Sequence, residues 1–103
     1  MSDTIVSTAG VATERRARYG KQLVSHLGRK SVGVWDEASG SGTLDMGNSA
    51  AHVTLKSTTD ALVIAVETAD TDIASYEDVV GRHLERFGER DGLRVHWVRS
   101  EAK

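Results

Sequence analysis

The sequence has no cysteine and no proline, and its aromatic residues are two tryptophans, two tyrosines and one phenylalanine. Without cysteine there is no disulfide framework, thiolate zinc site, iron–sulfur cluster or cysteine nucleophile. A reducing compartment is compatible with that lack. Without proline, the turns rest on Gly, Asn, Asp and Ser. No basic segment leads from Met1-Ser2-Asp3-Thr4 into an apolar run, so no signal peptide is expected. The longest apolar run, Ala61 to Val66, falls far short of the roughly 20 residues that span a bilayer. These absences predict a cytoplasmic protein without a membrane partner.

The 103 residues fit one domain, 1–103, and the mixture of 39% apolar and 27% charged residues is that of an ordinary globular chain. A net charge of −2 excludes a global basic field, but the charge is unevenly placed. Between Glu14 and Lys30, Arg15, Arg16, Arg18, Lys21, Arg29 and Lys30 face a single acid. Between Asp36 and Asp78, Lys56 is the only base among many acids. A solvated helix face beside ordinary acidic loops accounts for this pattern. The sharper readings are an anionic partner or complementary self-association.

Residues 5–12 read as a strand. Thr13-Glu14 opens a helix to Leu27, since Thr caps free amides and Glu suits the positive helix end. Tyr19, Leu23 and Leu27, with Val24 beside them, form its inward stripe, and Gly28 is the expected C-cap. Val32–Trp35 and Thr43–Met46 read as strands around the flexible loop Ala38–Gly42, and Gly47-Asn48 is a second turn. Ala51–Ser57 alternates, and Leu62–Thr68, rich in β-branched residues, is the expected central strand. Asp70-Thr71-Asp72 starts a second helix. Ile73, Tyr76, Val80, Leu84 and Phe87 give it a stripe of helical period, and Gly88 ends it. Asp91-Gly92 turns the chain into a last strand, Leu93–Val98. Leu93, Val95 and Trp97 share one side of it.

The order β-α-β-β-β-β-α-β, with short turns between consecutive strands, predicts a mainly antiparallel sheet. Two amphipathic helices covering one face make it a two-layer α+β sandwich with the other face open. Phe87 and Trp97 are expected to be largely buried where the second helix returns over its following strand.

Chemistry-bearing residues are few. His26, His52, His83 and His96 form no HExxH motif, and no CxxC exists. Tyr19 precedes His26 by seven residues and Tyr76 precedes His83 by seven, about two helical turns, so each pair shares a helix face. The pattern fits an internal repeat, or two helices solving one packing problem. The same spacing makes Tyr19, His26, Tyr76 and His83 candidates for a seam between the helices. There the histidines either hold a ligand together or separately bond neighbouring polar groups. No metal site or cofactor is expected, because no third or fourth ligand stands at recognisable spacing. His52 and His96 lie opposite the apolar strand positions and are expected on the open sheet face. Trp35 is assigned beside them, as a surface for a flat ligand or a second subunit. No Gly-x-Ser-x-Gly elbow is present, and Gly40-Ser41-Gly42 lacks the third glycine and helix of a dinucleotide loop. No catalytic constellation assembles, which argues against an enzyme. The basic helix, with Arg15, Arg16, Arg18 and Lys21, offers phosphate contacts. It has no interleaved aromatics and no helix-turn-helix order, which disfavours nucleic acid.

Two blocks carry a family resemblance: Tyr19-Gly20-Lys21-Gln22-Leu23-Val24-Ser25-His26, and Asp78 to Gly88 followed by Leu93-Arg94-Val95-His96-Trp97. Together they resemble a bacterial group of roughly hundred-residue domains of unknown function. Relatives often carry an aromatic residue, a glycine and then a cysteine before the third sheet segment. Met46-Gly47-Asn48 through His52 occupies that place here without a cysteine, so that cysteine's role is not carried over. The resemblance brings no catalytic residue or cofactor. It implies an association with siderophore-interacting flavoproteins, to which some relatives are joined. The expected function is thus a non-catalytic cytoplasmic module, a homodimer that binds a ligand or partner in iron and siderophore handling. The alternative is binding of nucleic acid or another anionic partner through residues 14–30.

Overall fold

The computed structural model describes residues 4–13, 16–27, 32–46, 50–59, 61–89 and 92–101. In chain order these form β1 (Thr4–Ala12), α1 (Arg16–Leu27), β2 (Val32–Asp36), β3 (Ser41–Met46), β4 (Ala51–Ser57), β5 (Ala61–Ala69), α2 (Ile73–Phe87) and β6 (Val98–Glu101). The six strands make one antiparallel sheet in the order β2-β3-β4-β5-β1-β6. This is the α+β architecture, and the element order, that the sequence predicts. Among the described residues α1 begins at Arg16, later than Thr13. The expected cap at Gly28 and turn at Gly47-Asn48 lie outside the described residues.

Period-two burial explains the sheet. Leu62, Ile64 and Val66 of β5 are fully enclosed, as are Ala51 and Val53 of β4 and Leu44 of β3. These positions pair across the strands and turn together toward the helices. Tyr19, Leu23 and Val24 of α1 and Ile73, Val80 and Leu84 of α2 close over them. α1 lies over β2 to β5, and α2 lies over β5 and β1. Each large apolar side chain enclosed this way contributes about 1.5–3 kcal/mol.

Trp35 departs from its expected place. β2 pairs Trp35 with Gly42 and Gly33 with Leu44, which puts Trp35 on the helix-covered face. Its indole fills a slot built by two glycines. A Cβ on Gly20 of α1 would stand 2.7 Å from Trp35 Cη2, and one on Gly42 would stand 2.7 Å from Trp35 Cε3. Both faces of β2 carry apolar residues, so its alternation alone does not say which side is inward.

The last segment also differs. Residues 93–97 alternate in burial as expected but make no ladder, and β6 begins only at Val98. Their inward side meets α2 instead of the sheet. Leu93 packs against Gly88, Trp97 Nε1 lies near Gly81, and the Val95 N–H donates to Glu85 Oε2 at 3.0 Å. That bond occupies an amide that a strand would have given to the sheet. Trp97 and Phe87 are half-buried, less enclosed than expected.

The uncovered sheet face is ordered in cross-strand rows. One row runs Val34, Thr43, Thr54, Ala65, Thr8, Val98 over all six strands. On one side of it lie Val32, Asp45, His52, Glu67, Val6 and Ser100. On the other lie Asp36, Ser41, Lys56, Val63 and Gly10.

Candidate functional site

The two helices run side by side on the sheet, and their stripes leave His26, His83 and Phe87 at the seam. The His26 and His83 ring centroids are 5.0 Å apart. Phe87 meets His26 edge-on at 5.4 Å and His83 at 6.3 Å. The seven-residue spacing thus brings the predicted histidines together, while the tyrosines serve the core. Tyr19 is buried, and Tyr76 is half-buried against the core cluster. His83 Nδ1–H donates to the Val79 carbonyl at 2.6 Å. In a neutral ring this leaves Nε2 as the acceptor.

Grooves open on both sides of the three rings. One, of about 440 Å³, is lined by Arg18, Lys21, Gln22, Ser25, His26 and Phe87. The lining of α1 recurs at helical spacing, so one helix face supplies it. The other, of about 430 Å³, is lined by Val79, Arg82, His83, Glu85 and Arg86. Lys21 is turned to Glu37, and Arg82 reaches Asp78 at 3.4 Å. Arg18 and Arg86 have no acidic partner among the described residues. Among the described residues the helical layer therefore presents its three rings between two arginines that have no acidic partner there.

A second constellation lies beneath α2. Glu77 is buried, and its Oε2 accepts from the Ser7 hydroxyl and from Arg99 Nε at 2.9 Å. Its Oε1 accepts from Arg99 Nη2 at 2.6 Å. The Arg99 guanidinium holds the Glu77 carboxyl below the usual carboxylate range, against the opposing effect of burial; the Ser7 hydroxyl adds to the lowering. The same bond raises Arg99. Both carboxylate oxygens are occupied, so the group ties α2 to β1 and β6 and presents no free reactive atom. A cavity of about 320 Å³ beside it, between α2 and residues 95–97, is likewise walled by paired carboxylates: Glu77 with Arg99, Asp78 with Arg82, Glu85 with the Val95 amide.

Residues 8–98, which include the seam and Glu77 but neither Ser7 nor Arg99, match the family described as "Uncharacterized protein conserved in bacteria (DUF2218)". The chain belongs to this family. It is also similar to the NMR structure of PA4090 from Pseudomonas aeruginosa, at 28% identity and a TM-score of 0.68, over 91% of this chain and 95% of that one. No curated protein matches the chain.

In this DUF2218 chain the remaining predicted residues separate. His52 is on the open face, where its Nδ1 lies 2.7 Å from Asp45 Oδ1. His96 is exposed but stands in the irregular 93–97 segment, which takes no part in the ladder that carries His52. Trp35 is under α1. The three do not form one surface. Of the basic set, Arg18 and Lys21 are exposed on α1. Arg15 and the side chain of Arg16 lie outside the described residues. Ser7, Glu77 and Arg99 were not among the predicted site residues. Glu77 stands on the apolar stripe of α2, between Ile73 and Val80, and a carboxylate there requires a buried partner. That signal is in the sequence; the identity of the partners is not. No group of three or more metal-ligating side chains converges among the described residues. No helix among them is long and apolar enough to cross a membrane.

Proposed function

We propose that this chain is a non-catalytic cytoplasmic accessory in iron handling, and that its helical layer takes an anionic ferric chelate at the His26–His83–Phe87 seam. The observation that carries the reading is the seam itself: three rings within 6.3 Å of one another, flanked by Arg18 and Arg86, which have no acidic partner among the described residues. Grooves of this volume lie within the ordinary range for small-molecule sites, about 300–1,000 Å³. A ferric catecholate combines flat rings with net negative charge and meets both features. The resemblance to domains joined to siderophore-interacting flavoproteins supports iron as the cargo.

The test is titration with an anionic ferric catecholate and a neutral ferric hydroxamate, following Trp35 and Trp97 fluorescence against a free-tryptophan control. The catecholate is expected to quench saturably, more weakly at high salt, and several-fold more weakly in Arg18→Ala or Arg86→Ala. Quenching by neither chelate overturns the reading. Equal quenching by both, unchanged in the arginine variants, also overturns it. The rival reading, nucleic acid on the basic first helix, draws on Arg18 and Lys21 of the same surface. It requires a low-salt mobility shift that falls steeply with salt and is lost on combined Arg15, Arg16 and Arg18→Ala replacement.

A further inference from the structure

We propose that the uncovered sheet face is the interface of a homodimer whose two-fold axis runs along the row Val34, Thr43, Thr54, Ala65, Thr8, Val98. This row carries no charge on any of its six strands. A solvated antiparallel face normally places polar and charged side chains outward. The large hydrophobic residues left exposed among the described residues are Val32 at 67%, Val34 at 59% and Val98 at 70%, and all three lie on this face. They sit on the two edge strands, and between Val34 and Val98 the row is made of Thr43, Thr54, Ala65 and Thr8, small and uncharged throughout.

The charges beside the row select the axis. Asp45, His52 and Glu67 lie on one side of it, on neighbouring strands, and Lys56 lies on the other. A two-fold along the row sets each side of one copy over the opposite side of the second. Lys56 then comes over His52 of the other copy, one strand spacing, about 4.8 Å, from both Asp45 and Glu67. Its long stem spans that offset, and the contact forms twice. A two-fold parallel to the strands would instead lay acidic row on acidic row, which like-charge repulsion opposes. Asp36, at the far end of the Lys56 row, is held by its own turn, accepting from the Ala38 N–H and the Ser39 hydroxyl. A neutral centre with charges along its margins is the usual composition of a protein interface.

The area suffices for a weak, specific dimer. Six strands about 4.8 Å apart and three rows about 7 Å apart give a contact of roughly 600 Å² per copy. Counted over both copies this lies at the lower end of specific interfaces, about 1,200 Å². The face is opposite the helical layer, so dimerisation and ligand binding at the seam stand or fall separately.

Sedimentation equilibrium over a wide concentration range tests the proposal. The wild-type chain is expected to show a concentration-dependent monomer–dimer equilibrium. Thr54→Arg places a charge mid-row and is expected to give a monomer with unchanged circular dichroism. Lys56→Glu and Glu67→Lys are each expected to weaken self-association at least tenfold. An equimolar mixture of the two is expected to recover it, because the heterodimer restores both Lys–Glu contacts. A wild-type chain monomeric at its highest soluble concentration overturns the proposal. So does a Thr54→Arg variant that stays dimeric, or a mixture that associates no better than its components.

Discussion

Replacing Gly20 by alanine sets two effects of similar size against each other, and the structure decides the sign. Gly20 lies inside α1, buried against the sheet. In a helix interior, alanine is favoured over glycine by about 1 kcal/mol. Here the added methyl would stand 2.7 Å from Cη2 and 2.8 Å from Cζ3 of Trp35, and 3.1 Å from Cδ1 of Leu62. The indole has little room to move, because its Cε3 already occupies the space a Cβ on Gly42 would take, and Leu62 is fully buried. Overpacking of this kind costs about 1–3 kcal/mol. Gly20→Ala should therefore destabilise the fold by roughly 1 kcal/mol net, read as a lower urea midpoint at unchanged slope. The same substitution in a Trp35→Leu background meets no ring, so the helix preference prevails and Gly20→Ala becomes stabilising. The difference between the effects of Gly20→Ala in the two backgrounds is the interaction energy of the double-mutant cycle. If Gly20→Ala stabilises the wild-type background, or has one sign in both, the slot does not constrain the indole as argued.

Glu77 links stability to pH. Its folded-state pKa is depressed, so its contribution is present above the unfolded value, about 4.3, and is lost as pH falls through the lower folded value. The melting-temperature difference between wild type and Glu77→Gln should narrow toward zero over that acid range; parallel profiles would refute the pairing. Phe87→Ala should cost about 1.5–3 kcal/mol in urea unfolding, less than the 3–5 of a fully enclosed phenylalanine, because the ring is half-buried at the seam. A cost under about 0.5 kcal/mol would show that it does not hold the helices together. Zinc should leave the melting temperature unchanged, since the seam offers two imidazoles and His83 Nδ1 is committed to Val79. A saturable rise removed by His26→Ala or His83→Ala, but not by His52→Ala or His96→Ala, would make the seam a metal centre.

Periodicity carried most of the fold. Val53 and Leu55 alternate with polar residues, and Ile73, Val80 and Leu84 follow helical spacing, so their inward faces were legible before any contact was known. The seam was legible for the same reason: seven residues is a whole number of helical turns to within a small angle, and each histidine flanks a stripe that must face the sheet. What the sequence alone could not decide was each placement set by a distant partner. Trp35 turned inward because Gly20 and Gly42, far apart in the chain, open a slot for its ring. The 93–97 segment kept its alternation but gave its Val95 amide to Glu85, so its pattern described one buried side without saying whether a sheet or a helix would cover it. Glu77 announced a need for a buried partner, yet Ser7 and Arg99 meet it only once β1, β6 and α2 are assembled. Local pattern determines which side of an element is buried, because it depends only on the pitch of the backbone; which surface does the burying depends on chain closure over many residues.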